Sequence, residues 1–123
     1  MQQRRAGAGA TVSNGKIYVA GGFDDNAPLS SVEVYDPKAK MWHNIRQMTS
    51  PRGGVGLSPL SGNLVAVGGH NGSEYLRSVE IYSILHDTWI KVPLKIVSYL
   101  KNDLLGSGNE TSTSRKWNSL DSN

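Results

Sequence analysis

The strongest constraint on this chain is an internal offset of 47 residues that carries Gly21-Gly22 onto Gly68-Gly69 and Arg5 onto Arg52. Under the same offset Gly7, Gly9 and Gly15 fall on Gly54, Gly56 and Gly62, and Leu29 falls on Leu76. The run Ser31-Val32-Glu33 falls on Ser78-Val79-Glu80, Tyr35 on Tyr82 and Trp42 on Trp89. Residues 5–45 set against 52–92 give 12 identities in 41 positions, without a gap. A fixed period of this size marks a repeat architecture, in which each unit buries its faces against its neighbours. Only two units are present.

Each unit divides into four short strands. Residues 7–12 and 54–60 are small and Gly-rich, as suits a strand crowded near a central axis. Residues 16–20 and 63–67 carry the apolar runs Ile17-Tyr18-Val19 and Leu64-Val65-Ala66-Val67, expected of a strand covered on both faces. Residues 32–35 and 79–82 alternate apolar and polar, and 42–45 with 89–92 close each unit. Asn14-Gly15 and Ser61-Gly62 are two-residue hairpin signals between the first and second strands. The Gly-Gly doublets end the second strands, and Asp36-Pro37 opens the turn into the fourth. Four antiparallel strands in about 45 residues describe a β-propeller blade. The fold class is therefore all-β: two four-stranded antiparallel blades of an incomplete propeller, with a partly helical or disordered tail. The division expected is 1–46, 47–93 and a non-repeat tail, 94–123.

An Arg, then Gly-x-Gly, then Ile-Tyr-Val-x-Gly-Gly, then Ser-Val-Glu-x-Tyr-Asp-Pro and finally Trp resembles the kelch repeat. Its structural positions are here Arg5, Gly21, Gly22, Glu33, Tyr35 and Trp42, then Arg52, Gly68, Gly69, Glu80, Tyr82 and Trp89. The match covers residues 2–92 and is similar to the kelch-like group, where a BTB and a BACK domain precede a six-bladed kelch propeller. That resemblance implies a substrate-recognition role for a cullin-3 ubiquitin ligase. It also implies that cullin contact runs through BTB and BACK segments, which the 123 residues do not contain. The chain is accordingly expected to be two blades cut from a larger propeller. With blade faces left wet, at about 25 cal/mol per Å² of apolar area, it is expected to be marginal in isolation or to self-associate.

Beyond residue 93 the repeat fails. Leu94, Val97, Leu100 and Leu104 have helical spacing, with Gly106 placed as a stop. That segment reads as a partner-binding helix or as an improvised cover for a blade edge. Residues 106–123 are Ser-, Asn- and Gly-rich and read as disordered.

Composition excludes several classes of function. There are no cysteines, which removes disulfide scaffolding and thiol catalysis. The net charge is +3, and no segment gathers a basic stripe, so nucleic-acid binding is not expected. No apolar run approaches the roughly 20 residues of a membrane helix, and no signal core follows Met1, so a cytoplasmic protein is expected. His43, His70 and His86 lack metal-ligand spacing, and no phosphate or dinucleotide loop is present. Neither a cofactor nor an enzymatic activity is expected.

The loops after the Gly-Gly doublets, 23–30 and 70–77, are polar, with one large ring placed directly after each doublet. Loops on a rigid scaffold are where binding usually resides. The resemblance implies a peptide pocket lined by the residue after Gly-Gly, the residue five further on and the residue after the inter-blade Arg. These are Phe23, Pro28 and Ala6, then His70, Tyr75 and Gly53. Contacts are expected to fall on Phe23, Asp25, His70 and Tyr75, with an acidic or polar protein segment as partner. An actin-binding kelch scaffold is the rival reading. Tyr35, Trp42, Tyr82 and Trp89 are expected to lock blade to blade, and Glu33 and Glu80 to pair with Arg5 and Arg52.

Overall fold

The computed structural model describes residues 1–93, and the helical and disordered segments expected within 94–123 lie outside them. Eight strands occur in order: β1 (Gly9–Ser13), β2 (Lys16–Ala20), β3 (Val32–Asp36), β4 (Met41–Ile45), β5 (Gly56–Leu60), β6 (Asn63–Val67), β7 (Val79–Ser83) and β8 (Thr88–Val92). They form two antiparallel sheets, β1-β2-β3-β4 and β5-β6-β7-β8. The all-β expectation is met, with one sheet for each sequence unit. Both first hairpins turn on two residues of positive φ, Asn14 (52°) with Gly15 (75°) and Ser61 (48°) with Gly62 (84°). Such turns match the twist of the strands they join.

The first strands begin two residues later than expected. Gly7 (φ 66°) and Gly54 (φ 70°) leave the extended region, so β1 and β5 start only at Gly9 and Gly56. There β1 packs against β5: a Cβ on Gly9 would stand 2.9 Å from the Val55 carbonyl oxygen and 3.0 Å from the Leu57 Cβ. Glycine at this position is what lets the two inner edges approach.

The sheets stack face to face in the same order as in the chain. Registers place Leu64 opposite Tyr82 and Tyr82 opposite Trp89, so these residues share one face of the second sheet with Ala66. That face meets Tyr18, Ala20, Val32 and Val34 of the first sheet, with Met48 and Val55 filling the space between. Burying one such side chain contributes roughly 1.5–3 kcal/mol. On the far face of the second sheet Leu60, Val65, Val67 and Val79 form a separate buried cluster. The first sheet's outward face is more open, with Val12 62% and Ile17 36% exposed.

Buried ion pairs tie each sheet to the segment that enters it. Arg52 Nε donates to Glu80 Oε2 at 2.8 Å, and both side chains are inaccessible. Its Nη1 donates to the carbonyls of Gly68 and Ser78, each at 2.9 Å, and the Thr49 amide donates to Glu80 Oε1 at 2.6 Å. Arg5 repeats the arrangement with Glu33, Gly21 and Ser31, and the Gln2 amide takes the place of Thr49. The second glycine doublet therefore ends its strand with a carbonyl that the arginine reads. Burial works against ionisation of Glu33, but the Gln2 amide and the Arg5 guanidinium outweigh it and hold its carboxyl below its ordinary range.

The aromatic pairs Tyr35–Trp42 and Tyr82–Trp89 stand 5.1 and 5.0 Å apart between ring centroids. Tyr82 and Trp89 lock blade to blade as expected, whereas Tyr35 and Trp42 lie half-buried on the first sheet. Trp89 Nε1 donates to the Arg46 carbonyl at 2.8 Å. Beside it Asp87 accepts from the Arg46 amide at 2.9 Å and from the Tyr82 hydroxyl at 2.6 Å. Burial, and then the hydrogen bond to Asp87, push the Tyr82 hydroxyl well above its ordinary pKa. In the first sheet Lys40 stands at the corresponding place, with the same left-handed backbone (φ 55° against 52°).

Candidate interaction site

The two β2–β3-type loops are built alike from different residues. Asp24 Oδ1 accepts the amides of Asn26 and Ala27, both at 2.8 Å, and folds loop 23–30 over its own side chain. Asn71 does the same in loop 70–77, accepting Ser73 and Glu74 at 2.9 Å. A short Asp or Asn side chain supplies this turn at little entropic cost. Bonding to the Asn26 and then the Ala27 amide holds the Asp24 carboxyl below its ordinary range.

Short rungs join each loop to the chain entering its blade. Phe23 exchanges two backbone hydrogen bonds with Ala6, at 2.7 and 2.9 Å, and bridges on its other side to Pro28. His70 exchanges two with Gly53, at 2.8 and 3.0 Å, and bridges to Tyr75. The trios singled out from the sequence, Ala6–Phe23–Pro28 and Gly53–His70–Tyr75, are thus brought together as adjacent rungs at one edge of the stacked sheets.

The side chains on these rungs differ in freedom. The Phe23 ring lies across the seam on Gly53, where a Cβ would overlap it, and reaches Gly7 as well. It is 36% exposed, so one side of the ring is structural. The His70 and Tyr75 rings meet edge to face at 4.8 Å, and His70 Nδ1 accepts the Gly72 amide at 3.0 Å. Tyr75 itself is 83% exposed. Asp25 sits at the exposed tip of its loop and makes no hydrogen bond or ion pair among the described residues. The two loops abut where Pro28 faces Gly72, a contact with no signal in the sequence.

This edge is a surface of rings and loop tips. A hollow of about 380 Å³ opens elsewhere, lined by Arg46, Gln47, Thr49, Thr88 and Trp89, and none of the four candidate residues belongs to it. Among the described residues no group of three or more His, Asp or Glu side chains could hold a metal ion. No helix among them is long and apolar enough to cross a membrane.

The family model of the Kelch motif matches residues 4–49 and again 51–93, most of the chain. This chain belongs to the kelch-repeat family. Its two sheets are kelch blades, and the buried Arg–Glu pairs and glycine doublets lie inside the matched segments. Among curated proteins it is similar to an F-box/kelch-repeat protein of Arabidopsis thaliana, 53% identical over 36 residues, or 29% of this chain. It is similar to the influenza virus NS1A-binding protein homolog of Mus musculus, 42% identical over 52 residues. Kelch-like protein 21 of Homo sapiens is 38% identical over 52 residues, and both of these matches cover 42% of this chain. The chain spans 10%, 8% and 9% of these three relatives. Kelch repeats make protein–protein interaction modules, and the kelch-like relatives fit a non-enzymatic interaction domain.

Proposed function

We propose that these kelch blades capture a protein segment on the edge formed by loops 23–30 and 70–77. The observation that carries this reading is the pair of rungs, Ala6–Phe23–Pro28 and Gly53–His70–Tyr75. They hold three rings on rigid backbone at an exposed edge. Preorganised aromatic side chains lose little entropy on binding, which favours them as anchors. Phe23, Asp25, His70 and Tyr75 are the contact residues in this proposal.

Within the family we place the chain in the kelch-like group, as part of a cytoplasmic cullin-3 substrate adaptor. The 38% identity with Kelch-like protein 21 over 52 residues supports this, and we further propose that the strings around Phe23, Arg52 and His70 resemble the last repeats of kelch-like protein eight. Cullin-3 itself would be reached through BTB and BACK segments, not through the blades. A photo-crosslinking residue at Tyr75 is expected to trap a discrete protein partner, while the same probe at Leu85, 86% exposed on the β7–β8 turn, does not. Equal labelling from both positions defeats the proposal. Co-sedimentation of the chain with actin filaments, dependent on Tyr75, would favour the cytoskeletal scaffold over the adaptor.

A further inference from the structure

The far face of the second blade is buried without a second sheet to bury it. Registers set Val67 opposite Val79, Val65 opposite Ile81 and Val79 opposite Val92, so these side chains share that face. Val65 and Val79 are 0% exposed and Val67 is 1% exposed. The first blade covers the other face of this sheet, through Leu64, Ala66, Tyr82 and Trp89. Among the described residues, the cluster around Val65 draws its members from the second sheet alone. Strand side chains stand roughly perpendicular to their sheet, so on an open face their outer atoms stay in water. Complete closure therefore requires a layer above them. Ile90 shares the face on the outer strand and is 61% exposed, so the cover lies over β5–β7 and stops short of β8.

The first blade shows what stands at this place inside the repeat. Its equivalent face, with Tyr18, Ala20, Val32 and Val34, is covered by the second blade and by Met48 and Val55 of the linker. The 47-residue offset carries Met48 onto Lys95, Arg52 onto Tyr99 and Val55 onto Asn102. The chain after residue 93 thus brings neither the linker's apolar fillers nor its arginine. It brings a different apolar set, Leu94, Val97, Leu100 and Leu104. β8 ends at Val92, opposite Val79, so the chain leaves the sheet at the closed-off end of this face. Its reach suffices: four strands measure about 14 Å across, and residues 94–105 would span about 18 Å even when coiled as a helix.

We propose that residues 94–105 cap the second blade, laying these apolar residues over Val65, Val67 and Val79, where the next blade of a stack would dock. A stack of repeats needs such an end, because its terminal unit otherwise leaves a core face wet. The chain has no cysteine, so an introduced thiol reports on its own position alone. In the full chain, the thiol of Val67→Cys should react with a maleimide about tenfold or more slowly than that of Leu85→Cys, at every protein concentration. Adding Leu100→Asp with Leu104→Asp should speed the reaction at position 67 severalfold, and leave the thiol of Val34→Cys, between the sheets, as slow as before. Reaction at 67 as fast as at 85 overturns the cap, and so does protection indifferent to the aspartates. Protection that grows with concentration assigns the face to a second copy and overturns it too. If the aspartates open 34 and 67 together, the whole fold has yielded, and a photo-reactive leucine at position 100 of the otherwise unchanged chain decides. Intramolecular crosslinks to β5–β7 uphold the cap; crosslinks to the first blade, between chains or to nothing remove it.

Discussion

Arg52, in the linker between the blades, meets Glu80 of β7 at 2.8 Å with both side chains closed off from water. The pair joins a residue of the linker to a residue of the third strand, and the same arginine holds the carbonyls of Gly68 and Ser78. One guanidinium thus fixes where β6 ends, where β7 begins and how the linker arrives. Losing either partner strands a buried charge, which costs about 3–5 kcal/mol. Arg52→Ala is expected to unfold the second blade or to lower the unfolding free energy by that amount in urea titration. Arg52→Met with Glu80→Met should recover part of the loss, since no charge is then left unpaired. Recovery is incomplete because the Gly68 and Ser78 carbonyls remain without their donor.

Glu33 makes the first blade acid-sensitive. Its folded-state pKa lies below its unfolded value, because the Gln2 amide and Arg5 outweigh the opposing effect of burial. A carboxyl with a depressed folded pKa stabilises the fold above its unfolded pKa, roughly pH 4, and that contribution is lost as pH falls through the folded value. Asp24 and Asp87 are depressed as well and act in the same direction. Thermal melts from pH 6 to pH 3 should therefore show falling Tm. Glu33→Gln should lower Tm at pH 6 and flatten the decline below pH 4. A Glu33→Gln profile parallel to the parent's would remove Glu33 from this role.

Phe23 and Gly53 are coupled across the seam. The phenyl ring occupies the space a Cβ on Gly53 would need, so Gly53→Ala must displace it. Ala6 stands at the equivalent place in the first blade and carries its Cβ without difficulty. Overpacking of this kind costs roughly 1–3 kcal/mol. Gly53→Ala is expected to destabilise the chain by that much alone and by far less in a Phe23→Ala background. The double-mutant cycle in urea measures the difference. Additive costs would mean that the ring and the glycine do not communicate.

Much of this architecture is written locally. Asn14-Gly15 dictates a two-residue hairpin, the 47-residue offset aligns the strands, and a charged Glu33 amid Val32 and Val34 demands a cation that Arg5 supplies. What escapes such reading lies between the units or breaks the repeat. Gly53 looks like a flexible residue until Phe23 is laid over it, and Met48 gives no sign that it fills the space between sheets. Asp87 is a further case. Its counterpart is Lys40, so the period conceals that Asp87 joins the Arg46 amide to the Tyr82 hydroxyl. For the candidate site, the residue after each doublet was legible as a ring on a loop. The abutment of Pro28 on Gly72, which brings loops 23–30 and 70–77 together, required the stacked sheets.

The first blade turns outward the same kind of face that the second blade seats. Ile17 and Val19 correspond to Leu64 and Ala66, and Tyr35 and Trp42 to Tyr82 and Trp89. In the second blade Leu64, Ala66, Tyr82 and Trp89 are buried, whereas Ile17 is 36% exposed and Tyr35 and Trp42 are only half-buried. At about 25 cal/mol per Å², covering such a face is worth several kcal/mol. Self-association of the chain through this face is therefore expected. Sedimentation velocity should show a concentration-dependent rise in mass. The double substitution Val12→Lys with Ile17→Lys should return the chain to a monomer, while Leu85→Lys, at an exposed position on the β7–β8 turn, leaves the association intact. An association that survives the lysines at 12 and 17 uses some other surface, and a chain that stays monomeric at every concentration does not associate through its blades.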